Sequence, residues 1–137
     1  MQVFCKVVRG KTPVYKTREA ACADVILPVD VTLRGSSIQK VPLDLAFEIP
    51  NGYKIIMYPR SSLLINYGLM SPTSIIDSDY NGKEIHWPVV NLKKKVITLK
   101  AGTRVAQIEC VPCTQVVNWE RENVERTGGF GSTGGVI

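Results

Sequence analysis

Short runs rich in β-branched and aliphatic residues recur along the chain, at 3–8, 25–33, 41–47, 53–58, 85–90, 96–99 and 104–111. Runs of that length and composition predict strands. They are bounded by Arg34-Gly35-Ser36, Pro50-Asn51-Gly52, Asn81-Gly82 and Ala101-Gly102, which read as turns. At Pro50-Asn51-Gly52 the glycine tolerates the positive φ that a tight reversal needs. Eight prolines and eleven glycines interrupt the chain too often for long helices. The predicted architecture is mostly β, a barrel or jelly roll.

Two segments escape this pattern. Ser61-Ser62-Leu63-Leu64-Ile65-Asn66-Tyr67-Gly68 begins with hydroxyls able to cap a helix and ends with glycine, which predicts a helix of about two turns. Arg60 and the two serines then stand at a helix start, where free backbone N–H groups attract anions. From Arg126 the chain reads Arg-Thr-Gly-Gly-Phe-Gly-Ser-Thr-Gly-Gly-Val-Ile, with five glycines and one aromatic. By composition this is a frayed tail. Arg, Ser and Thr among glycines can equally wrap phosphates, with Phe130 free to stack on a ring.

The length of 137 residues allows one domain and excludes two. We expect a β domain at 1–125 and a flexible tail at 126–137. Apolar residues at 45% and charged residues at 21% fit a globular fold. Aromatics at 7% leave the core to aliphatic and β-branched side chains. No apolar run reaches the roughly 18 residues of a membrane span, and no basic, then apolar, leader is visible. A cytoplasmic protein is expected, in the host cytoplasm if a virus encodes it.

The net charge of +5 suits a polyanionic partner but is also ordinary for a small domain. Lys93-Lys94-Lys95 reads as a solvated loop or, less simply, as part of a nucleic-acid patch. Cys110-Val-Pro-Cys113 has a spacing that serves zinc or a redox disulfide, with Cys5 and Cys22 as the other available thiols. Cys110 lies within a strand-like run, where a thiol acts as a small hydrophobe, so structural thiols are expected.

Five stretches carry more. In order they are Ala20-Ala21-Cys22-Ala23-Asp24-Val25, then Pro59-Arg60-Ser61-Ser62-Leu63, then Ile76-Asp77-Ser78-Asp79-Tyr80-Asn81-Gly82. Gly102-Thr103-Arg104-Val105-Ala106-Gln107-Ile108 and Arg126-Thr127-Gly128-Gly129-Phe130-Gly131-Ser132-Thr133-Gly134 follow. Together, and in this order, they resemble the five motifs of the trimeric deoxyuridine triphosphatase (dUTPase) family, over nearly the whole chain.

The resemblance implies a jelly-roll β-barrel with one short helix and a Gly-rich C-terminal tail. It implies a dUTP diphosphatase that hydrolyses dUTP to dUMP and pyrophosphate by water attack at the α-phosphorus, keeping uracil out of DNA and supplying dUMP for dTMP synthesis. Asp77 matches the carboxylate that holds and deprotonates the water. Arg60, Ser61, Ser62 and Gln107 match phosphate ligands, for which a guanidinium fork is well shaped. Tyr80 matches the residue packing under the sugar, where a ribose 2′-hydroxyl would clash.

The uracil pocket corresponds by position to a hairpin at 71–76, including Thr73, Ser74 and Ile76. There, backbone groups pair with the base, a methyl meets the wall, and cytosine leaves buried groups unpaired. In the tail, Phe130 matches the ring that stacks on uracil, and Arg126, Gly131, Ser132 and Thr133 match phosphate contacts. The implied cofactor is Mg2+, held mainly by substrate phosphates and water, with Asp24 a candidate for a water-bridged contact. The implied assembly is a homotrimer with shared sites: motifs two and four from one chain, motif three from a second, the tail from a third.

The chain departs from the family pattern at Cys22-Ala23, at Ser62, at Thr103 in place of an acid, and at Pro72-Thr73-Ser74. The related deoxycytidine triphosphate deaminases share Arg-Ser-Ser-Leu but need a glutamate and an arginine that are missing from Ile85-His86-Trp87-Pro88-Val89 and Leu64-Ile65. A dUTPase fold that engages a regulatory protein partner is the rival of another class, with His86, Trp87 and Trp119 as a candidate surface, though a core or contact role suits either tryptophan better. No strand face interleaves aromatic and basic residues, so stable nucleic-acid binding is not expected.

Overall fold

The structure, a computed structural model, describes residues 2–126 and 128–130. Its elements in chain order are β1 (Lys6–Arg9), β2 (Ala23–Ile26), β3 (Val31–Leu33), β4 (Ser37–Pro42), β5 (Ala46–Glu48), β6 (Tyr53–Pro59), α1 (Ser61–Tyr67), β7 (Leu69–Met70), β8 (Ser74–Ile76), a 3-10 turn at Ser78–Tyr80, β9 (His86–Asn91), β10 (Ile97–Leu99) and β11 (Arg104–Pro112). The strands form sheets ordered β2-β11-β6-β8, β4-β9-β7, β10-β3 and β1-β5, every pairing antiparallel. This is the mostly β architecture expected, closed around one apolar core that all four sheets supply. Among the described residues no helix is long and apolar enough to cross a membrane.

Two predicted strands are each broken in two, for local reasons. The run at 25–33 stops at Leu27, whose N–H donates to the Thr103 carbonyl at 2.9 Å; Pro28, which has no N–H, follows. The chain then changes sheet, held by the Ala101 N–H on Asp30 Oδ1 at 2.8 Å. The run at 41–47 breaks at Asp44, which takes a left-handed φ of 50°. Its N–H donates to Glu84 and its carboxylate accepts from Arg9 at 2.6 Å. Gly10 passes so close that a Cβ there would lie 1.8 Å from the Asp44 carbonyl oxygen.

The helix falls where predicted and ends on Gly68 at φ 69°, its N–H donating to the Leu64 carbonyl at 3.0 Å. Its start differs from expectation. Arg60 is the N-cap residue and no side chain caps, because Ser61 and Ser62 already lie inside the first turn. Strands β7 and β8, of two and three residues, are too short to leave a run in the sequence.

The core is mainly aliphatic, as its composition implies, but centres on Trp87 at 1% exposure. The one buried polar residue among those described, Asn91, organises the lysine loop. Its Nδ2 donates to the carbonyls of Arg34 at 3.1 Å and Lys95 at 3.0 Å, and its Oδ1 accepts from the Lys93 N–H at 3.0 Å. Lys93, Lys94 and Lys95 are solvated turn residues between β9 and β10.

Candidate active site

The central strand β11 sets the first half of the site. Its register puts Gln107 opposite Asp24 on β2 and Tyr58 on β6, so the three side chains share one face. Gln107 Nε2 donates to the Pro59 carbonyl at 3.3 Å. Arg60 follows at once, its Nη1 3.5 Å from the Arg104 carbonyl, and Ser61 and Ser62 form the first turn of α1 behind it. Arg104 Nη1 pairs with Asp24 Oδ2 at 3.2 Å. Thr103 donates instead to the Lys100 carbonyl at 2.6 Å, so the acid that balances Arg104 comes from motif one. On the same face Tyr58 donates to Glu109 at 2.5 Å, a bond that pushes its phenol above the ordinary value.

The second half lies beyond β8. Asp77 caps the 3-10 turn with extended backbone, and Tyr80 donates its N–H to the Asp77 carbonyl at 3.0 Å. Tyr80 is buried, its hydroxyl on the Glu84 carbonyl at 2.8 Å, and burial pushes its phenol up. These residues open onto a cavity of about 540 Å3 lined by Ser74, Ile76, Asp77, Tyr80, Arg126 and Phe130, among others. Thr73 lies in the exposed link just before it. The stretch 71–76 is not the hairpin expected: β7 pairs with β9 and β8 with β6, so β8 is an edge strand.

The start of the tail lies against this second half of its own chain. β11 ends at Pro112 opposite Tyr53, the end of β6 next to Asp77, so the arm that follows starts close to motif three. Arg126 Nη2 donates to Asp77 Oδ2 and Nε donates to Asp79 Oδ1 at 2.6 Å; the Asp79 bond is the main reason the guanidinium is held above its ordinary pKa. Phe130 takes a left-handed φ of 51°. Its ring meets Tyr80 edge-on at 5.6 Å and His86 at 5.8 Å. Thr127, Gly131, Ser132 and Thr133 lie outside the described residues.

The two halves stand apart on one chain. Ile76 pairs with Ile55, so one further step sets Asp77 opposite Lys54, six residues from Arg60 along β6. At ~3.3 Å per residue that is about 20 Å. Sequence reasoning gave Asp79 no role within motif three and read His86 only as part of a partner surface, whereas they are the partners of Arg126 and Phe130. Two carboxylates two residues apart in one motif were the available signal for Asp79. For His86, Trp87 and Trp119 the structure divides the expected surface: Trp87 is core, His86 is half-buried against Phe130, and Trp119 is 70% exposed. Cys110 packs from β11 onto the core edge beside Cys5, whose thiol burial pushes up to about 11.

Comparison with known proteins bears on what this arrangement does. The family model described as dUTPase matches residues 9–134. The deoxyuridine 5'-triphosphate nucleotidohydrolase of Desulfotalea psychrophila is 39% identical over 130 residues, 89% of this chain and 86% of that protein. The crystal structure of dUTPase from Streptococcus mutans superposes with a TM-score of 0.72 at 25% identity, covering 76% of this chain and 87% of that one. A mutant dUTPase from phage phi11 of S. aureus superposes with a TM-score of 0.74 at 19% identity, covering 90% and 97%. Its structure is described as revealing how a structural Mg(II) ion is coordinated.

Proposed function

This chain belongs to the dUTPase family and is a dUTP diphosphatase, and we propose that it cleaves dUTP with Asp77 as the base that activates water. The observation that carries the assignment is the convergence of Asp77, Tyr80, Arg126 and Phe130 on one cavity. Asp77 is half-exposed at its mouth and so open to water. It accepts a proton from the water as the oxygen–phosphorus bond forms at the α-phosphorus. The bond from that phosphorus to the bridging oxygen breaks, and pyrophosphate leaves with the electron pair. The products, dUMP and pyrophosphate, remove a uracil precursor from DNA synthesis and provide dUMP for dTMP synthesis.

Selectivity follows from the walls. As the edge of its sheet, β8 has backbone N–H and C=O groups on its open side that can pair with a uracil edge, with Thr73, Ser74 and Ile76 shaping the pocket. Cytosine presents the opposite polarity there, at a cost of roughly 1–3 kcal/mol per group left unpaired. The Tyr80 ring, fixed by burial and by its bond to the Glu84 carbonyl, is the wall we assign to excluding a ribose 2′-hydroxyl. Phe130 covers the base, while Arg126, Gly131, Ser132 and Thr133 reach the phosphates from the lid at 126–137.

Arg60, Ser61, Ser62 and Gln107 hold phosphate oxygens in the other half. Because about 20 Å of β6 separates that half from Asp77, a complete site needs a second copy of the chain, and a homotrimer with shared sites provides it. The row Ile38, Val90 and Met70 across β4, β9 and β7, exposed at its two ends and half-buried at Val90, offers apolar surface for such contacts.

Mg2+ fits this donor set as an ion carried by the triphosphate. Among the described residues no cluster of three or more His, Cys, Asp or Glu forms a protein cage, and Mg2+ ordinarily keeps several waters beside substrate phosphates. Asp24, already paired with Arg104, is the residue we assign to one of those waters. When bound, the ion neutralises phosphate charge that would otherwise repel the attacking oxygen. A regulatory protein partner is a second reading, favoured by the exposed Trp119.

The test is pyrophosphate release from dUTP, dTTP, dCTP and UTP with Mg2+, beside the Asp77→Asn variant. Selective turnover of dUTP, lost in the variant, is the expected result. Turnover that survives in Asp77→Asn would remove Asp77 from the role of base, and its absence in the folded wild type would favour the regulatory reading.

A further inference from the structure

The basic excess of the chain has a place in the fold. Arg34, Lys93, Lys94 and Lys95 are exposed on two turns, one joining β3 to β4 and the other joining β9 to β10. Because β3 pairs with β10 and β4 with β9, the two turns emerge side by side at one end of both sheets. Without these four cations the 17 basic and 12 acidic side chains of the chain nearly balance. No acidic residue occurs at 31–43, 49–76 or 85–108, and these stretches supply both turns, both of their sheets and α1. Among the described residues none of the four cations forms an ion pair.

The turns are also locked together through their main chains. The Ser36 N–H donates to the Lys93 carbonyl at 2.8 Å. A Cβ on Gly35 would lie 1.9 Å from the Lys94 carbonyl oxygen, so only glycine lets the two backbones come this close. Buried Asn91 bridges them, with Nδ2 on the carbonyls of Arg34 and Lys95 and Oδ1 on the Lys93 N–H. The Leu92 N–H donates to the Gly68 carbonyl at 2.9 Å, and the stem of Lys93 lies along Gly68. A loop that only had to be solvated would need none of this. Here like charges, which repel, are carried on a backbone that cannot spread them apart.

We propose that this double turn docks the phosphodiester backbone of nucleic acid, without regard to sequence. Charge sets the sign of the partner, and the fixed backbone narrows its kind. Nucleic acid presents phosphates at regular intervals, which a preset group of cations meets without further loss of backbone freedom. Arg34 brings a planar fork and the lysines bring point charges, both suited to phosphate. An anionic membrane imposes no such spacing, and the turns carry no aromatic side chain to sink into one; their exposed apolar residues are Leu92 and Val96. No strand face interleaves aromatic and basic residues, so the contact stays with phosphates and is weak and transient. The proposal is independent of the dUTP-hydrolysing reading, since none of the four cations belongs to that site.

The test is fluorescence anisotropy of a labelled DNA duplex of about 15 base pairs, and of its single strand, across about 25–200 mM KCl. Four phosphate contacts predict that log K falls against log salt with a slope of about −3.6 on the duplex and about −2.8 on the single strand. With Lys93→Gln, Lys94→Gln and Lys95→Gln combined, affinity at ~50 mM KCl should drop at least tenfold and the slope should shrink to about −1. Lys6→Gln, Lys11→Gln and Lys16→Gln combined remove the same charge from exposed residues elsewhere and should leave the slope unchanged. Thermal midpoints close to wild type report that both variants fold. Equal losses in the two triple variants would overturn the site, because net charge alone would then account for binding. Failure of wild type to bind either oligonucleotide at ~25 mM KCl would overturn it too, as would binding to phosphatidylserine vesicles but to neither oligonucleotide.

Discussion

Arg60 and Asp77 stand at opposite ends of β6, six residues apart in register, although both belong to one proposed reaction. A separation of about 20 Å is beyond what two side chains can close around one triphosphate. Arg60→Ala and Asp77→Asn should each abolish dUTP turnover alone, yet complement when the two chains are refolded together. In a random equimolar trimer roughly a quarter of the sites pair an intact Asp77 with an intact Arg60 from a neighbour. Activity of mixed trimers near that fraction is expected; no recovery would mean that one chain builds the whole site.

This split also shows what the sequence could convey. Strands β6, β9 and β11 were legible because each is a long run with one buried face. The breaks at Pro28 and Asp44 were not, since each depends on a partner far along the chain: Thr103 for Leu27, and Glu84 with Arg9 for Asp44. The candidate residues, and the separation of motifs two and four from motif three, came from the resemblance; no local pattern in the chain carries that grouping. Which motifs share an end of the sheet is set by antiparallel register, a property of pairings rather than of any local pattern. The same holds for the pairing of Asp79 with Arg126, which forms across 47 residues of chain.

Gly129 should tolerate no side chain while the tail is docked. A Cβ there would lie 2.6 Å from Tyr80 Cε1 and 3.0 Å from Cδ1, and the Tyr80 ring is buried and tied to Glu84, so it cannot swing aside. Overpacking of this kind costs about 1–3 kcal/mol, which here falls on the tail rather than on the core. In Gly129→Ala without nucleotide, amide exchange at 128–130 should quicken at least about fivefold. The thermal midpoint of the domain should stay close to wild type. Equal exchange in the two proteins would show that Gly129 does not seat against Tyr80.

Asn91 is expected to be the costliest polar position to truncate in the described part of the fold. Alanine there removes two donors and one acceptor, leaving the Lys95 carbonyl and the Lys93 N–H without this partner and the Arg34 carbonyl with only the Ser37 hydroxyl at 2.7 Å. Buried groups left unsatisfied cost about 1–3 kcal/mol each, and water can reach part of this loop, so a loss of about 2–4 kcal/mol is expected for Asn91→Ala. Urea unfolding of the two proteins measures it. A loss below about 1 kcal/mol would mean that the lysine loop holds its shape without Asn91.

The thiol of Cys5 gives a pH dependence with a defined sign. Burial is the main cause that raises it from 9.0 to about 11, with Cys110 beside it adding to the shift. Because the folded value lies above the unfolded one, folding favours the protonated thiol. Its contribution to stability is complete below about pH 9 and is lost as pH rises from there through about 11. Thermal midpoints between pH 8 and 11 should therefore fall more steeply for wild type than for Cys5→Ala. Since only the thiolate attacks an alkylating agent, Cys5 in the folded protein should label slowly with iodoacetamide at pH 8 and faster toward pH 11, after the exposed Cys113 has reacted. Labelling of Cys5 at pH 8 as fast as that of Cys113 would show that the protein does not hold its thiol protonated, and the difference in alkaline stability should then vanish as well.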